Sequence, residues 1–176
     1  MLPPFESLRV STSMCRDLRS DHAGEAGAVE IYRGMIAASR SQAVLAFASL
    51  HIATEIEHLS LLDRWLPGRW KSRLLPLWRA MGWMLGYVAG AFGERFAYIT
   101  VAAVERFVVA HYGAQIHRAP TPLRETLVKL QSDEQAHRGD ALARVVSQRR
   151  AGAASRAWTC LVAACSSVAV MAARRI

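Results

Sequence analysis

The sequence predicts an all-α protein: a four-helix bundle with a long crossover and an extra C-terminal apolar helix. Three observations carry that prediction. Helix formers follow one another through most of the 176 residues, and no run alternates apolar and polar residues as a half-buried strand would. Proline and glycine fall between the long stretches at Pro67-Gly68 and at Pro120 and Pro122. Two Glu-x-x-His pairs, Glu55/His58 and Glu134/His137, each follow a lone glutamate, Glu25 or Glu105, at gaps of 30 and 29 residues.

The elements follow in order. A first helix is expected over 20–39, with Asp21 near its N-cap. A second over 42–65 is stopped by Pro67-Gly68. A third over 75–92 carries Gly82, Gly86 and Gly90 and breaks near Gly93. The fourth runs over 95–118 and ends before Pro120, and the fifth covers 121–148. Residues 149–155 read as a linker to a last apolar helix. The organisation is thus an N-terminal extension at 1–19, a helical bundle at 20–148, and a linker with an apolar helix at 149–176. Short loops near Arg40 and Pro120 give two antiparallel hairpins, and the 50-residue step from Glu55 to Glu105 is the crossover that joins them.

Composition narrows the partners. Apolar residues make up 52% and charged residues 20%, too polar for a protein of many membrane spans. The net charge is +8, and arginine outnumbers lysine twenty to two. Arg64, Arg69, Lys71, Arg73 and Arg79 share one stretch with Trp65, Trp70, Trp78 and Trp83. Cations beside indole rings suit the headgroup layer of a membrane. No nucleic-acid-binding motif accompanies the charge, so no nucleic acid is expected. The longest charge-free runs, 80–93 and 157–173, hold 14 and 17 residues, short of the roughly 20 that span a bilayer. Docking on the bundle or partial insertion is expected ahead of spanning. Cys15, Cys160 and Cys165 have no CxxC spacing and read as plain thiols in a reducing compartment. No signal-peptide pattern opens the chain, which argues against secretion.

The paired motifs read as a metal site. Residues three apart share a helix face, so Glu55 and His58 can grip one ion and Glu134 and His137 another. Glu25 and Glu105 are then free to bridge. Four carboxylates and two imidazoles make a moderately hard site, suited to iron or manganese rather than to thiolate-bound zinc. One Glu from each of two helices and one Glu-x-x-His from each of two others is how a helical bundle holds two metals. A single Glu-x-x-His is common by chance on an exposed helix, and Glu57 is expected to face solvent. Glu105 is harder to dismiss, because it lies in the apolar run 99–109, where an inward carboxylate is costly unless paired or metal-bound. Tyr112 lies seven residues beyond Glu105, as Tyr32 does beyond Glu25. Asp21, Asp133 and Asp140 are candidates to orient the histidines. His22, His51 and His117 read as ordinary histidines, whereas His111 flanks Tyr112 beside the Glu105 stripe.

These residues resemble a known family. Asp21-His22-Ala23-Gly24-Glu25-Ala26-Gly27-Ala28, followed by Ile31-Tyr32-Arg33-Gly34, closely resembles the opening motif of the demethoxyubiquinone hydroxylases, di-iron enzymes of ubiquinone biosynthesis. Glu55-Ile56-Glu57-His58-Leu59, Leu74-Leu75-Pro76-Leu77-Trp78 and Val104-Glu105 leading to His111-Tyr112 are similar as well. The likeness runs from about Arg16 to Asp140, and it departs at Ala110, where the family usually has a second histidine before the tyrosine. It implies a ferritin-like fold and metal ligands at Glu25, Glu55, His58, Glu105, Glu134 and His137. It also implies a monooxygenase that inserts one atom of dioxygen into the ring of a polyprenyl benzoquinol, with NADH as electron source. Tyr112 and His111 are the candidate relay for electrons or protons beside two iron ions.

Such a substrate lives in lipid, so the enzyme is expected as a peripheral membrane protein. Its place would be the cytoplasmic face of a bacterial inner membrane, or the matrix face of the mitochondrial one. The segment 74–92 and the C-terminal helix could form the membrane surface, or could equally pack in the bundle or between copies of the chain. A lipid-binding accessory protein, a ubiquinone-biosynthesis complex and a homo-oligomer are further partners the reading accommodates. Two alternatives share the ligand set: ferritin-like iron binding or storage, and another di-iron quinol-oxidising membrane enzyme. A helical membrane-surface protein without metal chemistry is the third.

Overall fold

A computed structural model describes residues 2–146 and 152–176. Among them there are helices and no strands. The long elements are α1 (Thr12–Ala38), α2 (Gln42–Trp65), α3 (Leu75–Ala91), α4 (Glu94–Ile116), α5 (Thr121–Val146) and α6 (Ala153–Ala173), with short 3-10 turns at Phe5–Ser7 and Gly68–Trp70. The fold is a ferritin-like helical bundle: α1 and α2 form one antiparallel hairpin, α4 and α5 the other.

α2 begins and ends where its sequence signals place it. Ser41 caps its first turn by accepting from the Val44 amide, and the chain turns out at Leu66 before Pro67. α1 starts a full two turns earlier than expected. Ser11 is its N-cap, accepting from the Met14 amide, so Asp21 lies buried in mid-helix rather than near an end. Gly93, at φ 98°, makes the sharp break between α3 and α4 that the sequence suggested. The expected end of the fifth helix at Gln148 lies outside the described residues, as do 149–151 of the linker. Residues 153–155 belong to α6.

α3 is laid along α1 at backbone distance. A Cβ on Gly82 would overlap the Gly27 carbonyl, one on Gly86 the Ile31 carbonyl, and one on Gly34 the Trp83 carbonyl. Glycines four apart on α3 therefore form a smooth face against α1, the small-xxx-small mode of close helix packing. α6 covers α4 and the start of α1. Its last turn is fixed by an Arg174–Asp17 ion pair of 2.9 Å and by the Arg73 amide donating to the Ile176 carbonyl at 3.0 Å.

The tryptophans correct one expectation. Trp65 donates to the Pro3 carbonyl at 2.8 Å, Trp78 is buried and donates to Ser72 Oγ at 3.2 Å, and Trp70 lies under the Arg19 guanidinium. Of the four indoles in the basic segment only Trp83 is exposed. The outward apolar surface comes instead from Leu77, Met81, Met84 and Tyr87 on α3, with Leu161, Val168 and Met171 on α6. α6 is also longer than its charge-free core: at 21 residues it is long and apolar enough to cross a membrane, and only 11% of its most apolar window is buried.

Candidate metal centre

Four helices each bring carboxylate to the bundle axis. Glu25 comes from α1, Glu55 and His58 from α2, Glu105 from α4, and Glu134 and His137 from α5; all six are buried. The register of each pair holds, since Glu57 is exposed beside Glu55, and Arg106 is exposed beside Glu105. One turn of helix separates Glu from His in both motifs, which is why each pair reaches the axis together.

The six residues form two overlapping groups. Glu25, Glu55, His58 and Glu134 offer ligand atoms within 4.8 Å of one another, and so do Glu55, Glu105, Glu134 and His137. Glu55 and Glu134 are common to both. Two ions, one in each group, would share the carboxylates of the Glu-x-x-His motifs, with Glu25 in one group and Glu105 in the other. Spacing alone left Glu25 and Glu105 free to bridge. Local i,i+3 geometry shows which residues share a face, but only the crossing of α2 and α5 decides which carboxylates meet between the two groups.

The chemistry of this cluster fits a pair of divalent cations. Nδ1 of His58 lies 2.9 Å from Glu134 Oε1 and 3.6 Å from Glu25 Oε2; Nδ1 of His137 lies 2.9 Å from Glu55 Oε1 and 3.2 Å from Glu134 Oε2. Both imidazoles thus aim the same nitrogen at the carboxylates. Glu25 Oε2 and Glu55 Oε1 are buried, and each faces an imidazole nitrogen, at 3.6 Å and 2.9 Å, without a well-aligned hydrogen bond. Buried oxygens without donors are costly in a plain core and are satisfied by cations.

Protons fill that role electrostatically in the metal-free protein. Burial, with repulsion from Glu134, pushes the Glu55 carboxyl up to about 8. Burial and the charges of Glu134 and Glu55 push Glu105 well above the usual range. Burial would raise Glu134 too, but hydrogen bonds from His137, His58 and Glu105 outweigh it and hold that carboxyl at about 2. Burial would depress His58 and His137; their bonds to Glu134, with Glu25 for the first and Glu55 for the second, outweigh it and push them up to about 11 and about 9.

The surrounding aspartates divide differently from the sequence expectation. Asp133 accepts from His58 Nε2 at 3.1 Å and so orients a metal-facing imidazole. Asp140 holds His51 at 2.9 Å, and His51 in turn packs edge-on against His137 at 4.5 Å. Asp21 belongs to another network: its Oδ1 accepts from Gln115 at 2.9 Å and lies 3.1 Å from His111 Nε2, which also meets Ser20 Oγ at 2.9 Å. Burial would lower His111, but the Asp21 carboxylate outweighs it and raises it. Tyr112, fully buried, donates to Glu25 Oε1 at 2.5 Å. Tyr32, its counterpart in the first hairpin, is equally buried, and its hydroxyl has no partner. His22 is buried against Asp63, which Lys71 also holds. The Ser20–Asp21–Gln115 network was not legible in sequence, because Gln115 sits 94 residues from Asp21 and carries no motif.

An apolar cavity of about 400 Å³ reaches this cluster. Glu25, Glu55, Glu105 and Glu134 lie along it with His111 and Tyr112. Its walls come from α1, α3, α4 and α6, through residues such as Ile31, Leu85, Val108, Trp158 and Val170. Met81 and Met84 line it while being exposed to solvent, which places its mouth on the outward apolar side of α3.

Comparison with known proteins agrees with the residues. A family model described as "Ubiquinone biosynthesis protein COQ7" matches residues 12–173. A 3-demethoxyubiquinol 3-hydroxylase of Rhodospirillum rubrum is 34% identical over 129 residues, covering 70% of this chain and 61% of that protein. Another from Nitrosospira multiformis is 33% identical, over 72% of this chain and 63% of its own length. A mitochondrial protein of Dictyostelium discoideum, named NADPH-dependent 3-demethoxyubiquinone 3-hydroxylase, is 31% identical over 69% of this chain and 60% of that protein. The chain thus spans about three fifths of the length of the curated relatives it matches. It belongs to the COQ7 family of ubiquinone biosynthesis proteins.

Proposed function

We propose that this chain is an oxygen-dependent di-iron monooxygenase that hydroxylates the ring of a demethoxyubiquinol, docked on a membrane. The observation that carries the reading is the apolar cavity ending on the carboxylate cluster. A volume of about 400 Å³ falls within the range of small-molecule sites, and an apolar lining with a few convergent polar groups is their usual character. Iron storage, the reading that shares the ligands, has no use for such a lining. The relatives' printed names describe hydroxylases of the same ring chemistry.

Glu25, Glu55, His58, Glu105, Glu134 and His137 would hold the two ions, and iron bound there supplies the reducing centre at which dioxygen is activated. The other residues act on protons and position. Tyr112 fixes the Glu25 carboxylate by its hydroxyl. Asp133 keeps the His58 ring turned so that Nδ1 faces inward. His111, braced by Asp21 and Ser20, holds a proton at Nε2 on the cavity wall, where a quinol hydroxyl would lie. The apolar walls exclude water from the reacting ring. Electrons come from a nicotinamide cofactor, NADH in our reading; the Dictyostelium relative's name specifies NADPH.

Met81 and Met84 of α3 are exposed and line the cavity, so a lipid-borne tail could pass from bilayer to cluster without crossing water. This supports attachment to a membrane surface. The cytoplasmic face of a bacterial inner membrane, or the matrix face of the mitochondrial one, and a lipid-binding accessory protein, a biosynthesis complex or a second copy of the chain as partners are further parts of the proposal. The test is iron-loaded protein with vesicles, a short-tailed demethoxyquinol, NADH and oxygen, analysed by mass spectrometry. The product expected gains one oxygen atom, and the protein floats with the vesicles. Two irons per chain with no hydroxylated product would refute the enzyme; iron taken up far beyond two per chain would favour storage.

A further inference from the structure

Resting on the quinol reading of the cavity, we propose that Gly24 is its size-determining residue: the missing side chain leaves the room in which a flat aromatic head group lies beside Glu25. The glycines of the α1–α3 contact are demanded by backbone, since a Cβ on Gly34, Gly82 or Gly86 would overlap the neighbouring helix. Gly24 is different. It sits inside α1 at an ordinary helical conformation, it lines the cavity, and a Cβ built on it meets nothing within 4 Å. Glycine inside a helix costs about 1 kcal/mol relative to alanine. Neither packing nor backbone geometry requires glycine at Gly24, an exposed position on the wall of the open cavity.

A second observation at the same wall points to a polar ligand. One turn before Gly24, Asp21 lines the cavity with its Oδ2 buried and without a hydrogen bond, while Oδ1 is held by Gln115 and His111. Phe107 and Val108 of α4 also line the cavity, and Phe107 stacks on His111 beside Asp21. Gly24 therefore leaves space next to an unpaired hydrogen-bonding group within an otherwise apolar lining, the polarity that suits a ring carrying hydroxyl or carbonyl substituents. Ile31, two turns further along α1, and Leu85 of α3 also line the cavity, and a tail running along them would not be narrowed by a side chain at position 24.

The experiment compares Gly24→Ala and Gly24→Leu with the unaltered iron-loaded chain. Three quantities are read: iron per chain, melting temperature, and affinity for a decyl-tailed methoxybenzoquinone beside decan-1-ol, a tail without a ring. Gly24→Ala is expected to keep its iron and melt about 2 °C higher, because it removes only the glycine cost. Gly24→Leu is expected to weaken quinone binding roughly ten-fold or more, the range for forcing methylenes into a fixed pocket, and to leave decan-1-ol binding unchanged. Quinone affinity of Gly24→Leu equal to the parent's overturns the proposal, as does equal loss of both probes or a parent that binds no quinone. A lower melting temperature for Gly24→Ala overturns it too, by showing a packing role, and that arm stands even if the leucine variant does not fold. Binding is read without turnover, so a parent that binds the quinone but never hydroxylates it would sink the enzyme reading and leave this one intact.

Discussion

Replacing Glu105 by glutamine should separate the two states of the cluster, because the same carboxylate is a burden without metal and a ligand with it. Glu105 is 2% exposed, and burial with the charges of Glu134 and Glu55 raises its carboxyl well above the ordinary range. That direction favours the protonated carboxyl in the metal-free protein, so at acid pH an amide of nearly the same shape should leave its melting temperature almost unchanged. The sign at higher pH follows from linkage. A carboxyl whose folded value is raised binds its proton more tightly in the folded state, so its contribution is present below the unfolded value and lost as pH rises through the folded one. For Glu55, raised from 4.5 to about 8, the loss falls in that window and amounts to a few kcal/mol, at about 1.36 kcal/mol per unit. Glu105 adds to it.

The variant lacks the Glu105 share and relieves Glu55 and Glu134 of a neighbouring charge. At pH 9 the metal-free Glu105→Gln protein should exceed the parent by about 1–3 kcal/mol, or roughly 2–10 °C in melting temperature at this chain length. With Fe(II) or Mn(II) the order should reverse. The parent should gain about 2.7 kcal/mol at a hundred-fold excess over its dissociation constant, while the variant, one anionic ligand short, should hold fewer than two ions and gain less. Differential scanning calorimetry at pH 6 and 9, with and without metal, reads all four values, and metal analysis reads the occupancy. A metal-free variant less stable than its parent at pH 9, or one that still binds two ions as tightly, would refute the reasoning.

Two further outcomes follow from single contacts. Asp133→Asn should weaken metal binding by about 10- to 100-fold in chelator competition, because His58 Nε2 loses the carboxylate that orients it; unchanged affinity would show that Glu134 and Glu25 suffice. Gly86→Ala should lower the melting temperature by about 4–8 °C, since its Cβ would overlap the Ile31 backbone and force α3 away from α1. Gly139→Ala, where a Cβ meets nothing, serves as the control that should not fall.

Legibility in the sequence follows the range of the interaction that decides each feature. α2 was readable to its ends because Ser41 and Pro67 are local signals, and the six buried Glu and His side chains were readable because i,i+3 spacing is local too. α1 was misplaced at its start, since Asp21 looks like a cap and is instead consumed by His111 and Gln115 from α4. The tryptophans of the basic segment could face lipid or core on composition alone. Pro3, Ser72 and Arg19, none of them motif residues, turn three of them inward. Which carboxylates the two groups share was likewise invisible, because Glu55 and Glu134 meet only where α2 and α5 cross.

The repeat of Glu and Glu-x-x-His dictates which residues gather, but the departures from the repeat make its halves unequal. Asp133 precedes Glu134 and braces His58, whereas Thr54 holds the matching position before Glu55. Tyr112 is bonded to Glu25, whereas the hydroxyl of Tyr32 reaches no acceptor. Beyond the contacts within the cluster, the half built on Glu25 and His58 is held from outside by hydrogen bonds from Tyr112 and to Asp133, whereas the half built on Glu105 and His137 meets the His51 ring. Residues braced in advance lose little on binding a cation, while those less braced must settle around it. An ion at the first half would thus bind to a site already formed, and one at the second would complete a site that the first, through the shared Glu55 and Glu134, has begun to order.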